Sequence, residues 1–452
     1  MRAINPATGE VIQQYPEHSP DEAARLVDRA GKAFLSWRET PIAKRSFLMK
    51  AAARVLRESR GAWAHLMAME MGKALASAEA EADKCAWVCE YYADNAERLL
   101  APEQVQTDAS ESYVRFDPLG PVLAVMPWNF PFWQVFRFAA PSLMAGNVGL
   151  LKHASNVPGC ALAIEKIFLR AGFPEGVFTT LMIPSSGVEA MIRNDAVKAV
   201  TLTGSEPAGK SVAAIAGSAL KKTVLELGGS DPFIVLGDAA IAEAAAQAAM
   251  ARCINAGQSC IAAKRFIVVE KAAEAFEKEF ISAMGRLKVG DPLERTNDLG
   301  PLARMDLLEE VDGQVKRSVA AGAKLALGGK RLGDKGCFYA PTVLLGVAPG
   351  NPAFEEEVFG PVGAVIRAKD AAHAADLANR SRYGLGASIW TKNAEAGKAL
   401  AARIESGAVF VNGIVKSDPR LPFGGVKASG YGRELGLYGI REFVNIKSVW
   451  VK

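Results

Sequence analysis

Residues 121–134 read PVLAVMPWNFPFWQ, and the first six of them, PVLAVM, form an uninterrupted apolar run closed by Pro127. A short run of this kind, ended by a chain breaker, reads as a strand buried on both faces. Pro127 and Pro131 then fix the backbone on either side of Asn129, and a helix is expected after Pro131. The pattern continues downstream. Residues 147–152 (NVGLLK) read as a strand, and a helix runs from about Pro158 to Ala171. Strand candidates follow at 177–183 and 197–203, and another helix is expected after Gly204. This β-α-β-α-β succession predicts a parallel sheet covered on both faces, an architecture that binds dinucleotides at its strand ends.

Upstream, residues 19–100 read as helices, opening at Ser19-Pro20-Asp21, with Cys85 and Cys89 one turn apart as packing residues or a metal or redox pair. Downstream, TVLELG at 223–228 leads into a second mixed region, with strand candidates at 265–269 and 408–412 and helices near 271–286 and 394–405. Residues 107–118 (TDASESYVRFDP) and the C-terminal FVNIKSVWVK alternate as exposed strands do. Neither has an evident neighbour in sequence, so both are expected to pair with another subunit.

The composition is that of a globular chain. Of 452 residues half are hydrophobic and 23% charged, which suggests two or three domains. Lys and Arg number 53 against 49 Asp and Glu, interspersed rather than in blocks, which argues against nucleic acid as a partner. The six cysteines form no CxxC pair, so neither a disulfide scaffold nor a metal site is expected. The opening MRAINPATGE has no apolar signal core, and no run reaches the roughly 18 apolar residues of a membrane span. A cytoplasmic protein without membrane contact is expected. The four histidines lie far apart in sequence, which directs attention to other chemistry.

Four segments carry that chemistry. NAGQSCIAAKRF (255–266) sets Cys260 among polar and flexible residues, as in a loop that exposes a thiol. A buried packing cysteine is the alternative. A nucleophile would need its thiolate, from a reference pKa of about 8.5. LELGGSDP (225–232) places Glu226 at a strand end before two glycines, either as a solvated end or as a base able to swing and activate water. In VMPWNFPFWQ (125–134), Asn129 either caps a helix or aims its amide at an oxyanion. TLTGSEPAGK (201–210) joins a strand to a helix through Gly204, and Ser205 with the helix N-terminus offers donors to a phosphate, although it departs from GxGxxG.

These segments, in this order, resemble the NAD(P)-dependent aldehyde dehydrogenase superfamily. PATGE near the N-terminus, EEVFGPV at 356–362 and PFGGVKASGYGRELG at 422–436 extend the resemblance over essentially the whole chain. LKHASNVPGC and the short N-terminus look most like the succinate-semialdehyde dehydrogenase branch. The resemblance implies an α/β fold with a Rossmann-type cofactor domain over 1–106 and 119–228 and a catalytic domain over 229–420. It also implies an oligomerisation arm from 107–118 and 440–452, and a C-terminal return segment over 421–439. A homodimer or homotetramer follows from the same likeness.

By the resemblance, Cys260 attacks the aldehyde, Asn129 and the Cys260 N–H hold the oxyanion, and Glu226 activates the water that releases the acid. Met126, Pro127, Trp128, Gly204, Ser205, Leu227, Gly228, Glu357 and Phe359 would line the cofactor site, and Lys152 would reach the adenosine ribose. The sequence departs from the common Lys-Pro-Ser-Glu pattern, having Lys152-His153-Ala154-Ser155. Glutamate would repel a 2′-phosphate, whereas Ser155 can donate to it, so NADP is favoured, with NAD the alternative. For an acidic semialdehyde, Arg137, two helical turns beyond Asn129, and Ser417 would contact the substrate beside an apolar wall at Trp133. A surface salt bridge and a turn are the other readings of Arg137 and Ser417. A CoA-acylating relative lacks the hydrolytic base, so Glu226 argues against that activity, and the presence of Cys260 and Glu226 argues against a non-catalytic binding protein. Cys253, seven residues before Cys260, is a redox partner only if the fold brings it close.

Overall fold

The computed structural model describes residues 1–452. Five parallel strands form the first sheet, in the order Phe178–Thr180, Val148–His153, Pro121–Met126, Ala199–Thr203, Lys222–Glu226. The chain therefore winds outward from Pro121–Met126 in one direction and restarts beside it in the other. The order reverses between Met126 and Thr203, and the crevice outside the carboxyl ends of strands at such a point is where ligands bind in open α/β sheets. TVLELG, read as a lead into the second region, is instead the fifth strand of this sheet. Gly430–Tyr431 closes the edge, antiparallel to Glu226 and Leu225.

The second sheet has seven strands: Lys324–Leu327, Thr342–Leu345, Val362–Ala368, Arg265–Val269, Pro232–Val235, Gly386–Trp390 and Ala408–Val411. Only the Lys324–Leu327 edge is antiparallel. Two hydrophobic cores match the two sheets, and their chain boundary falls between Leu227 and Phe233. Strands with continuous apolar faces, such as Val148–His153, are buried on both sides, as a parallel sheet requires.

The helical N-terminal region comprises Pro20–Trp37, Ile42–Glu58, Arg60–Met71 and Leu75–Leu99. The first opens on a capping box, Ser19 accepting from the Glu22 N–H while the Glu22 carboxylate accepts from the Ser19 N–H. Cys85 and Cys89 are both buried in the Leu75–Leu99 helix. An N-terminal hairpin of Arg2–Ile4 and Val11–Gln14 has no counterpart in the expected elements.

The exposed strands correct an expectation. Glu111–Pro118 and Val444–Val451 pair with each other through eight residues, from Val444 opposite Pro118 to Val451 opposite Glu111. Alternation along each strand carried no information about which distant segment lay beside it. Glu103–Gln104 adds a third strand, antiparallel to Glu111–Pro118. The return segment joins the first sheet only through Gly430–Tyr431, and its Val426–Lys427 forms a separate two-stranded ribbon with Tyr383–Gly384.

Glu81 fastens the site's entrance to this frame. The Trp133–Met144 helix has no side-chain cap of its own, and the orphan N–H groups of Phe132 and Trp133 both donate to Glu81 Oε1 at 2.9 Å. Glu81 also forms a fully buried ion pair with Lys73. Removing one partner of a buried pair leaves an uncompensated charge, typically worth about 3–5 kcal/mol. Glu81→Ala should therefore destabilise the protein by about 3 kcal/mol or more, with Glu81→Gln milder because its amide oxygen still accepts the two N–H bonds. Equal urea midpoints for wild type and Glu81→Ala would contradict this role.

Candidate active site

The helix Ile241–Cys253 ends at Cys253, and the chain then turns through three residues with left-handed backbones: Asn255 (φ 54), Ala256 (φ 55) and Gly257 (φ 78). Left-handed geometry costs roughly 1–2 kcal/mol per non-glycine residue, less for Asn. Gly257 is required twice over, since a Cβ there would also strike the Gly360 backbone. The turn delivers Ser259 and Cys260 to the space between the two sheets. It also means that Cys253 and Cys260 do not share a helix. Cys253 lies buried with its thiol 3.7 Å from Met284 Sδ.

Lys264 secures the loop. Its ammonium donates to the carbonyl oxygens of Ser259 and Cys260 at 2.8 Å and of Ala262 at 3.0 Å, and lies 3.4 Å from Glu357. Asn129 is buried, and its Nδ2 donates to the Gln258 carbonyl at 3.0 Å. A primary amide has a second N–H, which remains for another acceptor. The Cys260 N–H donates to no protein acceptor. Asn129 is not a helix cap, because the helix begins at Trp133 and is capped by Glu81.

Cys260 lines two cavities. One, of about 590 Å³, runs along the carboxyl ends of the first sheet past Pro127, Trp128, Gly204, Ser205, Leu227, Gly228, Glu357 and Phe359. The other, of about 570 Å³, lies on the opposite side and is lined by Trp133, Arg137 and Ser417, with Lys84. Gln134, which closes the VMPWNFPFWQ motif but was given no role there, also borders both.

In the first cavity the rings of Trp128 and Phe359 meet edge to face at 5.9 Å. Ser205 occupies the N-cap position of the 13-residue helix Glu206–Ser218 without donating or accepting a capping bond, so its hydroxyl and the first helical N–H groups are available to an anion. A Cβ on Gly204 would meet nothing closer than Leu202 at 3.5 Å, which leaves the cavity side open, while one on Gly209 would strike Leu227 at 2.5 Å. Glu357 accepts from the Gly229 N–H at 3.0 Å, and a side chain at Gly228 would collide with its carboxylate. Met126, Lys152 and Ser155 lie outside this wall, at or just beyond the carboxyl ends of adjacent strands. Lys152 is buried with only Ser185 Oγ beside it, at 3.3 Å, and burial lowers its pKa. Ser155 is exposed. A buried ammonium without a carboxylate partner, with the exposed Ser155 three residues further along the chain, fits an additional phosphate.

Arg137 and Asn129 do not share a helix face, since the turn at Phe130–Phe132 intervenes. Arg137 is fully buried rather than superficial. It pairs with Glu434, donates to Thr203 Oγ1 at 3.2 Å, and lies 4.7 Å over the Phe423 ring. Glu226 is buried at the end of its strand, near Gly424, and both its oxygens lack partners. Burial, then the neighbouring Glu434, pushes its pKa well up, opposed by Arg137 and Arg433. It lines neither cavity in this arrangement. Burial also raises the Cys260 thiol to about 12, with Arg137 and Lys264 opposing. The loop therefore presents a partly exposed residue whose thiol is protonated at neutral pH, not the thiolate that its polar neighbours suggested.

A doubly wound sheet with a free groove at its switch point, and a cysteine at the groove's inner end, defines a nucleotide-dependent oxidoreductase layout. The chain belongs to the aldehyde dehydrogenase family, whose model matches residues 1–449. It is 54% identical over 451 residues, 100% of this chain and 99% of the other, to a probable succinate-semialdehyde dehydrogenase [NADP(+)] of Synechocystis sp.. It is 51% identical over 454 residues to succinate-semialdehyde dehydrogenase [NADP(+)] 1 of Mycobacterium tuberculosis, covering 100% and 99% of the two chains. The crystal structure of a succinic semialdehyde dehydrogenase from Streptococcus pyogenes in complex with NADP+ superposes with a TM-score of 0.97 at 38% identity, covering 100% and 99%.

Two measurements check the electrostatics. Alkylation of Cys260 by iodoacetamide in the free protein should be slower at pH 7.5 than that of free cysteine and rise steeply above pH 9, whereas a plateau reached below pH 7 would show a preformed thiolate. For Glu226, the folded pKa lies above the ordinary 4.5, so its contribution to stability is present below that value and lost as pH rises through the folded one. Glu226→Gln should accordingly raise Tm relative to wild type, by more at pH 8 than at pH 5. A difference independent of pH would contradict the shift.

Proposed function

We propose that this chain oxidises an acid-bearing aldehyde, best matched by succinate semialdehyde, to the carboxylic acid with NADP. The observation that carries the reading is the position of Cys260 at the meeting point of a nucleotide groove and a second, cation-lined cavity. Cys260 Sγ adds to the aldehyde carbon, its proton passing to the aldehyde oxygen or to solvent, and forms a thiohemiacetal. The second N–H of Asn129 and the free Cys260 N–H stabilise the oxygen as charge develops on it, and one such donor is typically worth about 10²–10³ in rate. The cofactor, when bound, supplies the hydride acceptor. Glu226 takes a proton from the water that hydrolyses the resulting thioester. Burial holds its carboxyl up in the pocket beside Gly424, and serving Cys260 requires its side chain to turn out of that pocket toward the water. Hydrolysis to free acid, rather than transfer to CoA, follows from the presence of that base.

Ser205 and the helix N-terminus are assigned to the pyrophosphate, Glu357 to the nicotinamide ribose, Phe359 and Trp128 to the ring's surroundings, and Pro127, Leu227 and Gly228 to the groove wall, with the Met126 backbone beside it. Lys152 and Ser155 take the 2′-phosphate, and the Streptococcus pyogenes relative's NADP+ supports that preference over NAD. Trp133, Arg137 and Ser417 border the aldehyde cavity. The cofactor unit comprises 1–102 and 119–228, and the catalytic unit 229–420. Segment 421–439 ties the two together. The arm, 103–118 with 440–452, bears exposed Ile446 and Trp450 and a free strand edge suited to another copy of the chain, in a dimer or tetramer. No helix is long and apolar enough to cross a membrane, and the cytoplasm is the compartment proposed.

Initial rates over an aldehyde panel with each cofactor test this directly. Succinate semialdehyde with NADP should give the highest kcat/KM, Cys260→Ala should show no oxidation, and Glu226→Gln should turn over slowly after an undiminished first-turnover burst. Ser155→Glu should shift preference toward NAD. Retained oxidation in Cys260→Ala, or a higher kcat/KM with NAD in the wild type, would overturn the respective assignments.

A further inference from the structure

Lys84 projects from the Leu75–Leu99 helix into the second cavity. Its ammonium lies 4.1 Å over the Trp133 ring and donates to Ser417 Oγ at 2.8 Å. It forms no ion pair, although both of the cavity's other enclosed cations do. Lys73 is matched by Glu81 and Arg137 by Glu434, while at the mouth the exposed Arg295 pairs with Glu79 and Lys416 is open to solvent. The carboxylates nearest Lys84 are also engaged. Glu81, on the same helix, serves Lys73 and two backbone N–H groups, and Asp418, from the facing loop, holds Arg420 through two bonds of 2.7 and 2.9 Å. Cys85 beside it stays protonated, its thiol raised well up by burial.

We propose that Lys84 is a specificity-determining residue: its ammonium, with the Ser417 hydroxyl, binds the distal carboxylate of the aldehyde whose carbonyl carbon meets Cys260. This rests on the acid-bearing substrate proposed above. Arg137 is the cation nearest to hand from the sequence, but its charge is committed to Glu434 and shared with Glu226. Lys84 is the one that gains a counter-ion when the substrate enters. Ser417 accepts from Lys84, so its own proton is free to donate to the same carboxylate. Burial, and then Arg137, lower the Lys84 ammonium to about 8, so the free enzyme loses this charge in mildly alkaline solution, and a bound carboxylate restores it. Trp133 gives the cation a ring face on which to rest meanwhile.

The test compares succinate semialdehyde with butanal, of the same chain length and without the acid. In the wild type the ratio of their kcat/KM values should favour the acid strongly and fall as pH rises through about 8. In Lys84→Met the ratio should drop by about tenfold or more, the loss expected for one charged hydrogen bond, chiefly through KM, and should no longer vary across that pH range. Lys84→Arg should retain part of the preference. If Lys84→Met slows both aldehydes alike, or leaves the ratio and its pH dependence intact in a wild type that does discriminate, Lys84 does not select the acid. If the wild type itself handles butanal as well as the semialdehyde, the acidic-substrate reading fails first, and this assignment with it.

Discussion

Lys264 donates to three carbonyl oxygens of the loop that carries Cys260 and reaches Glu357 across the cleft. The ammonium is buried, so each of these acceptors replaces water that it has given up. One group thereby ties the cysteine loop to the residue assigned to the nicotinamide ribose. The left-handed turn at Asn255–Gly257 aims the loop, and Lys264 holds it there. The Cys260 carbonyl turns toward Lys264, and its N–H is left without a protein partner.

The buried charges of the site form an economy in which few positions are neutralised twice. Arg137 faces two buried carboxylates, Glu434 and Glu226, and one cation does not satisfy both. Burial, and then the neighbouring Glu434, hold the Glu226 carboxyl well up, and Arg137 offsets this only in part. That arrangement also commits Arg137 to carboxylates of its own wall. The positive charge open to a substrate then falls to Lys84, on a helix of the other wall. Catalytic tuning at one end of the cavity and substrate selection at the other are thus linked through the single guanidinium of Arg137.

Four strands of the first sheet were legible because they are short apolar runs that alternate with helices of ordinary length, whereas the fifth, Lys222–Glu226, has no helix after it to mark it as part of the same sheet. The cysteine loop, Glu226 and Asn129 stood in motifs whose order carried the family resemblance. What escaped the sequence was long-range pairing. The arm strands Glu111–Pro118 and Val444–Val451 lie over 300 residues apart, and nothing in their alternation names the partner. Glu81 capping Trp133, and Lys84 meeting Ser417 from 333 residues away, are contacts between ordinary-looking helical residues and distant loops. The ionisation of Cys260 was equally hidden, because polar neighbours in sequence say little about how much water reaches a sulfur atom in the fold.

On the reading proposed above, oxidation passes through an acyl group on Cys260. This is tested most directly by mixing Glu226→Gln with NADP and succinate semialdehyde, quenching in acid within one turnover, and mapping the protein by mass spectrometry. One succinyl group, in thioester linkage, is expected on the peptide containing Cys260. Reduced cofactor formed in the burst with no acyl group on the protein, or with the group on any other residue, would contradict it.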